Sequence, residues 1–334
     1  MPRPRVATLR QTRFDPLGPH VRSLALPSGR SVRYIDEGDP GWTPLLWFGG
    51  AGTSVRAFRL LEFARTLREQ LRVRVVSLER NGLGGTPFDP NAGYPEYAAD
   101  VWALLDRLGI ANASLLAISG GGPYAAHVAA AAPGRVRSLH LACAYAERLG
   151  EAALELDLEQ IARDPVSWWR YPPESPVHRI PGFADSAVEE ATAALFARGR
   201  DQPPEGLALA FALYAGEPLP DLSTLAAPAF LYWGSEDGLV PLSHLERWRG
   251  ALPHVAAVRL YEGEGHDVQY RHWDQILADV AHLGERVVVS QAGRTLLVDP
   301  ARAEELLAAG ATLGLAAWAD EDEPEPRSRG ARSP

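Results

Sequence analysis

Ser119 lies where an apolar run, LLAI, meets the glycine cluster Gly120–Gly122, and an alanine-rich stretch follows. That order is typical of a strand that turns tightly into a helix and exposes a serine hydroxyl above the sheet, as a nucleophile requires. The turn needs small neighbours, which Ala117 and Gly121 provide. The start of the helix would also direct backbone N–H groups, Gly120 N–H among them, toward negative charge at the serine. An ordinary glycine-rich turn with an N-capping serine fits this segment equally well.

The same glycines also fit a dinucleotide-binding pattern, because Gly120–Ala125 matches the spacing G-x-G-x-x-A. That motif normally follows the first strand of a βαβ unit, and an acidic residue ends the next strand. Here several candidate strands come first, the next one runs into Cys143, and no acid follows before Glu147. The context therefore disfavours a dinucleotide site.

Two further residues complete a possible nucleophilic site. Asp237 lies in a turn after the apolar run Leu231–Trp233, and His266 follows a later run that ends at Tyr261. A serine hydroxyl is a weak nucleophile unless an imidazole takes its proton, and a carboxylate must orient that imidazole. Since the carboxyl ends of parallel strands meet at one edge of a sheet, the order serine, aspartate, histidine predicts a catalytic triad of Ser119, Asp237 and His266 at that edge.

These segments resemble the α/β-hydrolase fold superfamily over roughly Arg22 to Leu283. The motifs that carry the resemblance are Phe48–Gly52, similar to the family's H-G-G-x-G segment, Glu79–Thr86, similar to its D-x-x-G-x-G-x-S turn, Gly234–Pro241, which matches its G-x-x-D-x-x-x-P acid loop, and Gly265-His266, which matches the G-H of its base. The resemblance implies that Gly50 N–H is an oxyanion donor together with Gly120 N–H. Phe48 stands where the family has a histidine that helps to hold the oxyanion loop.

The resemblance implies a serine hydrolase that works through an acyl-enzyme on Ser119. A serine at this position, rather than an aspartate, argues against the epoxide-hydrolase and haloalkane-dehalogenase branches of the family. Esters, amides, thioesters, lactones and carbon–carbon bonds all stay open as substrates. Some relatives are not hydrolases, so a ligand-binding or accessory protein, or a cofactor-free oxygenase or lyase, stays open as well.

The strands that must position these residues are short and largely apolar throughout, which favours a parallel sheet covered by helices on both faces. They are predicted at Val21–Leu26, Ser31–Asp36, Leu45–Phe48, Val73–Leu78, Ser114–Ser119, Val136–Cys143, Ala229–Trp233 and Ala257–Tyr261. Helical patterns separate the later strands. The predicted fold is therefore α/β, with a mostly parallel central sheet.

The chain divides along the same pattern into a core and its additions. We expect a flexible extension over residues 1–20, the core at 21–143 and 229–285, a helical cap insertion at 144–228, a C-terminal extension at 286–318 and a disordered tail at 319–334. Trp168 and Trp169 in the cap, with Phe48, are candidate pocket residues, although large aromatics that anchor the cap would look the same.

The C-terminal extension lies outside the resemblance. Its pattern predicts a hairpin, Arg286–Ser290 and Arg294–Val298, followed by a helix that opens at Asp299-Pro300 and stops at Gly310. Such a unit could support oligomerisation or the lid, or cover a sheet edge.

Composition excludes several other functions. The net charge is −9 and the acidic residues are spread along the chain, which argues against a nucleic-acid partner. All 33 basic residues other than histidine are arginines, so a Schiff-base lysine and a Walker A lysine are absent. The expected partner is a small-molecule substrate, and a homo-oligomer stays open.

The remaining signals argue against cofactors, metals and membranes. Cys143, the single cysteine, lies in an apolar run and reads as a small buried residue without a role. His266 and His272 are six positions apart, which is not a spacing for two metal ligands on one helix face. No apolar run reaches the roughly 18 residues that a membrane span needs, and no leader is evident, so a cytoplasmic protein is expected.

Overall fold

The computed structural model describes residues 18–149, 157–164, 171, 173, 175–180, 182–196 and 205–315. Its strands, numbered along the chain, are β1 (Arg22–Ala25), β2 (Ser31–Glu37), β3 (Thr43–Phe48), β4 (Val73–Leu78), β5 (Ala113–Ile118), β6 (Val136–Ala142), β7 (Ala229–Gly234), β8 (Val255–Tyr261), β9 (Val287–Gln291), β10 (Arg294–Val298) and β11 (Thr312–Leu313). The first eight form one sheet in the order β1-β2-β4-β3-β5-β6-β7-β8. From β4 onward in that order all neighbouring strands are parallel, whereas β2 pairs with β1 and with β4 antiparallel.

The described α-helices connect these strands and are also numbered along the chain. They are α1 (Arg65–Gln70), α2 (Tyr94–Arg107), α3 (Gly122–Ala131), α4 (Leu158–Arg163), α5 (Phe183–Phe196), α6 (Glu205–Gly216), α7 (Leu242–Ala251), α8 (Val268–Arg271), α9 (Trp273–His282) and α10 (Pro300–Ala308). A 3-10 helix also covers Val55–Ala64. None of the described helices is long and apolar enough to cross a membrane.

The central strands are buried on both faces, which explains why their sequences are apolar throughout. Every residue of β4, β5 and β7 is buried. Successive side chains of a strand point to opposite faces, so Leu115 joins the apolar cluster formed with α2 and α3, whereas Leu116 joins the cluster formed with α9 and the 3-10 helix. Helices on both faces thus cover a mostly parallel sheet, and the predicted fold class is confirmed.

The insertion between β6 and β7 is helical where the structure describes it, with α4, α5 and α6. It is tied to the core by polar contacts from α5. Arg59 in the 3-10 helix donates to Ser186 O at 2.9 Å and lies 3.0 Å from the Glu189 carboxylate, and Ser54 Oγ donates to the Glu190 carboxylate. Trp168, Trp169, most of the N-terminal extension and the whole tail lie outside the described residues.

The C-terminal unit forms a second, three-stranded antiparallel sheet in the order β10-β9-β11. The side chain of Asp299 caps α10 by accepting from Arg302 N–H at 2.9 Å, as the Asp-Pro pair predicts. Gln275 on α9 attaches the unit to the core, because its side chain donates to Arg286 O and accepts from Val288 N–H. The unit therefore packs on α9, and Val258 and Leu260 on the last strand of the large sheet stay exposed.

Candidate active site

Ser119 lies at the turn between β5 and α3, with a backbone φ of +50°. Positive φ is uncommon for any residue but glycine, and at this position it is the strained turn that lifts a serine above a sheet. Tyr145 N–H donates to Ser119 O at 2.8 Å, and a Cβ on Gly121 would meet Gly49 O at 2.8 Å. The glycine is therefore required by the close approach of the loop that follows β3.

Asp237 lies in the turn after β7 and is almost completely buried. One carboxylate oxygen accepts Leu239 N–H at 2.9 Å and Val240 N–H at 2.8 Å, and the other lies 2.8 Å from His266 Nδ1. Burial alone would raise the pKa of Asp237, but the hydrogen bonds from His266, Val240 and the Cys143 thiol outweigh it and lower that pKa. An ionised Asp237 accepts a hydrogen bond from His266 Nδ1–H and leaves His266 Nε2 available as a base.

Cys143 is the third neighbour of this pair. It follows β6, the strand beside β7, and has a φ of +44° and a fully buried thiol. Its sulfur, an Asp237 oxygen and a His266 ring nitrogen lie within 4.8 Å of one another. Burial, and then the charge and hydrogen bond of Asp237, raise the pKa of the thiol well above its usual value, so Cys143 is a neutral donor to Asp237. A cation held by the three atoms would have to displace the Asp237–His266 hydrogen bond.

The loop of residues 49–54, called here the oxyanion loop, carries Gly50 to the side of the serine. A Cβ on Gly50 would lie 3.6 Å from Ser119 Cβ and 4.0 Å from Ser119 Oγ. Gly50 O accepts from Thr53 N–H at 3.3 Å, from the Thr53 hydroxyl at 2.8 Å and from the Arg80 guanidinium. The loop that was identified by resemblance is thus in contact with the serine that was identified by its turn.

Phe48 lies beneath this loop and is 2% exposed. Its ring packs edge-to-face on Tyr97 at a centroid distance of 6.3 Å, and it lines a small cavity with Glu79 and Arg80. The structure therefore puts Phe48 in the core behind the loop, whereas Trp168 and Trp169, the other candidate pocket residues, are not described.

Sequence reasoning missed Arg80, Tyr214 and the contact of Cys143. Arg80 stands inside a motif that carried the resemblance, but the motif did not say what its side chain binds. Tyr214 lies in α6, a helix of the insertion between β6 and β7, and its hydroxyl donates to Gly120 O at 2.7 Å. Nothing in the alanine- and leucine-rich sequence of α6 distinguishes this tyrosine from a packing residue. For Cys143, its position at the end of the strand next to β7 was the available signal.

Comparison with known proteins agrees with this fold. A family model for the alpha/beta hydrolase fold matches residues 43–202. The dihydrolipoyllysine-residue acetyltransferase component of an acetoin cleaving system from Pseudomonas putida is 29% identical over 267 residues, which cover 74% of this chain and 65% of that protein. The chain therefore spans less than two thirds of the length of this curated relative.

Solved structures share the same architecture. An alpha/beta hydrolase fold protein from Nakamurella multipartita and an esterase from Rhodococcus sp. ECU1013 are each 20% identical, with TM-scores of 0.61 and 0.60, and each match covers 79% of this chain and 98% of the other. A 2-hydroxy-6-oxo-6-phenylhexa-2,4-dienoate hydrolase from Rhodococcus sp. strain RHA1 is also 20% identical, with a TM-score of 0.60 over 77% of this chain and 96% of that one. These likenesses show that the chain has the α/β-hydrolase fold, and residues 43–202 match the model of that family.

Proposed function

We propose that this protein is a serine hydrolase that cleaves a small-molecule acyl compound through an acyl-enzyme on Ser119. The observation that carries the proposal is the Asp237–His266 hydrogen bond of 2.8 Å after β7 and β8, in a sheet whose β5 ends in the strained turn at Ser119. His266 and Asp237 are the two groups that the activation of a serine hydroxyl requires, an imidazole base and a carboxylate that orients it.

In the proposed reaction, Ser119 Oγ attacks the substrate carbonyl carbon while His266 Nε2 takes the hydroxyl proton. Asp237 fixes the tautomer of His266 and stabilises the imidazolium that forms. Gly50 N–H and Gly120 N–H bind the oxyanion of the tetrahedral intermediate. When the intermediate collapses, His266 gives its proton to the leaving group. His266 then takes a proton from water, which attacks the acyl carbon. The second intermediate collapses to release the acid, and His266 returns the proton to Ser119 Oγ.

Labelling with a fluorophosphonate tests the nucleophile directly. The native protein should gain one phosphonyl group, and Ser119→Ala should gain none, while the matched variant Ser223→Ala, which changes an exposed serine, should label like the native protein. Peptide mass mapping locates the adduct. Labelling of Ser119→Ala at the native rate would overturn the assignment.

A second candidate function is acyl transfer to an acceptor other than water. It is favoured by the likeness to a protein named as an acetyltransferase component, because an acyl-serine can pass its acyl group to a thiol as well as to water. The two functions differ in product. With p-nitrophenyl acetate and a dithiol present, a transferase forms the thioester and a hydrolase forms acetate, whereas either activity should vanish in Ser119→Ala.

A further inference from the structure

Arg80 and Tyr214 connect the two backbone segments that carry the proposed oxyanion donors. Arg80 follows β4, and its Nη2 donates to Gly50 O and to Thr53 O, the latter at 2.9 Å. Its Nη1 donates to the Tyr214 hydroxyl at 3.4 Å, and that hydroxyl donates to Gly120 O at 2.7 Å. One continuous chain of hydrogen bonds therefore runs from the oxyanion loop, through the two side chains, to the residue after the nucleophile.

The Arg80 guanidinium uses its donors for this series of hydrogen bonds. The residue is 4% exposed, and a buried cation needs partners for its donors. In the part of the chain that the structure describes, no carboxylate lies within salt-bridge distance of it. Its hydrogen-bond partners are the oxyanion loop and Tyr214, and its guanidinium carbon lies 5.2 Å from the centroid of the Tyr124 ring. The planar fork of an arginine can serve both partners at once, which a lysine ammonium does less well.

Holding these carbonyl groups matters because both proposed donors are glycines. A glycine backbone samples far more conformations than any other residue, so an oxyanion donor on glycine is well oriented only when the surrounding structure fixes it. Arg80 holds Gly50 by its carbonyl, and Tyr214 holds Gly120 in the same way. Phe48, directly before this loop, has an apolar side chain that cannot form such a bond.

We propose that Arg80 and Tyr214 form a clamp that orients the two oxyanion donors, Gly50 N–H and Gly120 N–H. Both are positioning residues. The proposal rests on the proposed acyl-transfer function and adds a requirement to it. Since Tyr214 belongs to the cap helix α6, the clamp is complete only while the cap rests on the core.

Kinetics on p-nitrophenyl acetate test the catalytic consequence. Tyr214→Phe removes one oxygen atom and should lower kcat about tenfold, and Arg80→Lys, which keeps the charge but loses the fork, should lower it about 100-fold, since small misplacements of catalytic groups have effects of that size. KM should change less than about threefold, because the clamp acts on the transition state. The matched control is Tyr94→Phe, since the buried Tyr94 hydroxyl has no hydrogen-bond partner among the described residues, and it should keep native kinetics.

Hydrogen exchange tests the clamp without any turnover. Amides of residues 49–54 should exchange faster in Tyr214→Phe and in Arg80→Lys than in the native protein, and those of Tyr94→Phe should not change. Native exchange in both clamp variants overturns the clamp, whatever the activity of the protein. Faster exchange with native kcat overturns its catalytic role. Hydrolysis that survives in Ser119→Ala overturns the proposed function instead, and the exchange result then still decides whether the clamp exists.

Discussion

The Asp237–His266 pair and the oxyanion loop are held in place by different kinds of contact. Asp237 accepts hydrogen bonds from residues two and three positions further along the same turn, and its partner His266 follows the neighbouring strand. The oxyanion loop is held by Arg80, 30 positions from Gly50, and through it by Tyr214, a further 134 positions away.

The geometry around Asp237 can be set by a short motif, whereas the geometry of the oxyanion loop is set only when the whole chain has folded. The turn that carries Asp237 is held by hydrogen bonds among its own few residues. A substitution of Asp237 therefore removes a chemical group without disturbing other elements. The oxyanion loop depends on β4 and on the cap helix α6, so substitutions far from Ser119 should alter it. The predictions below test this contrast from its largest expected effect to its smallest.

Replacing the acid should produce the largest loss. Asp237→Asn keeps the shape of the side chain but no longer holds His266 in the tautomer that leaves Nε2 free, and kcat should fall about 10⁴-fold. Steady-state hydrolysis of an activated ester measures this loss. Asp221→Asn, which changes an exposed aspartate in a turn, is the control and should keep native activity. A loss of less than tenfold in Asp237→Asn would mean that His266 is oriented by other groups.

A histidine at position 48, where the family has one, tests how well the oxyanion loop is held in the native protein. Phe48→His would bury an imidazole among apolar side chains beside Arg80, and it should destabilise the fold by about 1–3 kcal/mol. It should not raise kcat, because Arg80 and Tyr214 already hold the loop. Urea unfolding and ester hydrolysis measure the two effects, and Phe48→Leu, which stays apolar, should be the more stable variant. A several-fold gain in kcat would show that the loop is poorly held in the native protein.

The sequence predicted the parts of the molecule that depend on local pattern. The eight strands of the large sheet begin within two residues of their predicted starts, because each is an apolar run bounded by turn residues. The short strand β11 has no such run and was not predicted. Asp237 and His266 could be chosen as candidates because each follows a recognisable strand.

The clamp could not be predicted in the same way. Tyr214 lies in a helix whose sequence is apolar all round, so no periodicity marks its hydroxyl. Arg80 is one of 33 basic side chains, and its choice of partners depends on how the loop after β3 approaches the end of β4. Such contacts arise from tertiary packing, which a single sequence does not display.

The buried carboxyl groups of Glu79, beside the oxyanion loop, and of Asp237 should respond differently to pH. Burial, and then the nearby Glu190, raise the pKa of Glu79 to about 8, whereas the pKa of Asp237 is lowered. A group with a raised pKa binds its proton more tightly in the folded state, so the stability it contributes is complete below its unfolded pKa and is lost as pH rises toward about 8. Glu79→Gln imitates the protonated form and should therefore gain thermal stability over the native protein as pH rises from about 5 to about 9.

Thermal unfolding at several pH values measures this gain. Glu79 accepts Val55 N–H at 3.0 Å, and a glutamine oxygen can keep that bond. Glu69→Gln, which changes an exposed glutamate, is the control and should show no growing advantage with pH. If the difference between Glu79→Gln and the native protein stayed constant across this range, folding would not raise the pKa of Glu79.

The smallest effect should come from replacing Cys143, whose thiol donates a hydrogen bond to Asp237. Cys143→Ala removes one neutral hydrogen bond to Asp237, while the bonds from Leu239, Val240 and His266 remain, so kcat should fall by no more than about fivefold. Cys143→Ser, which keeps a donor, should retain more activity. A loss in Cys143→Ala as large as that in Asp237→Asn would mean that the hydrogen bonds within the turn do not keep Asp237 in place without Cys143. The Asp237–His266 pair would then depend on contacts from distant residues as much as the oxyanion loop does.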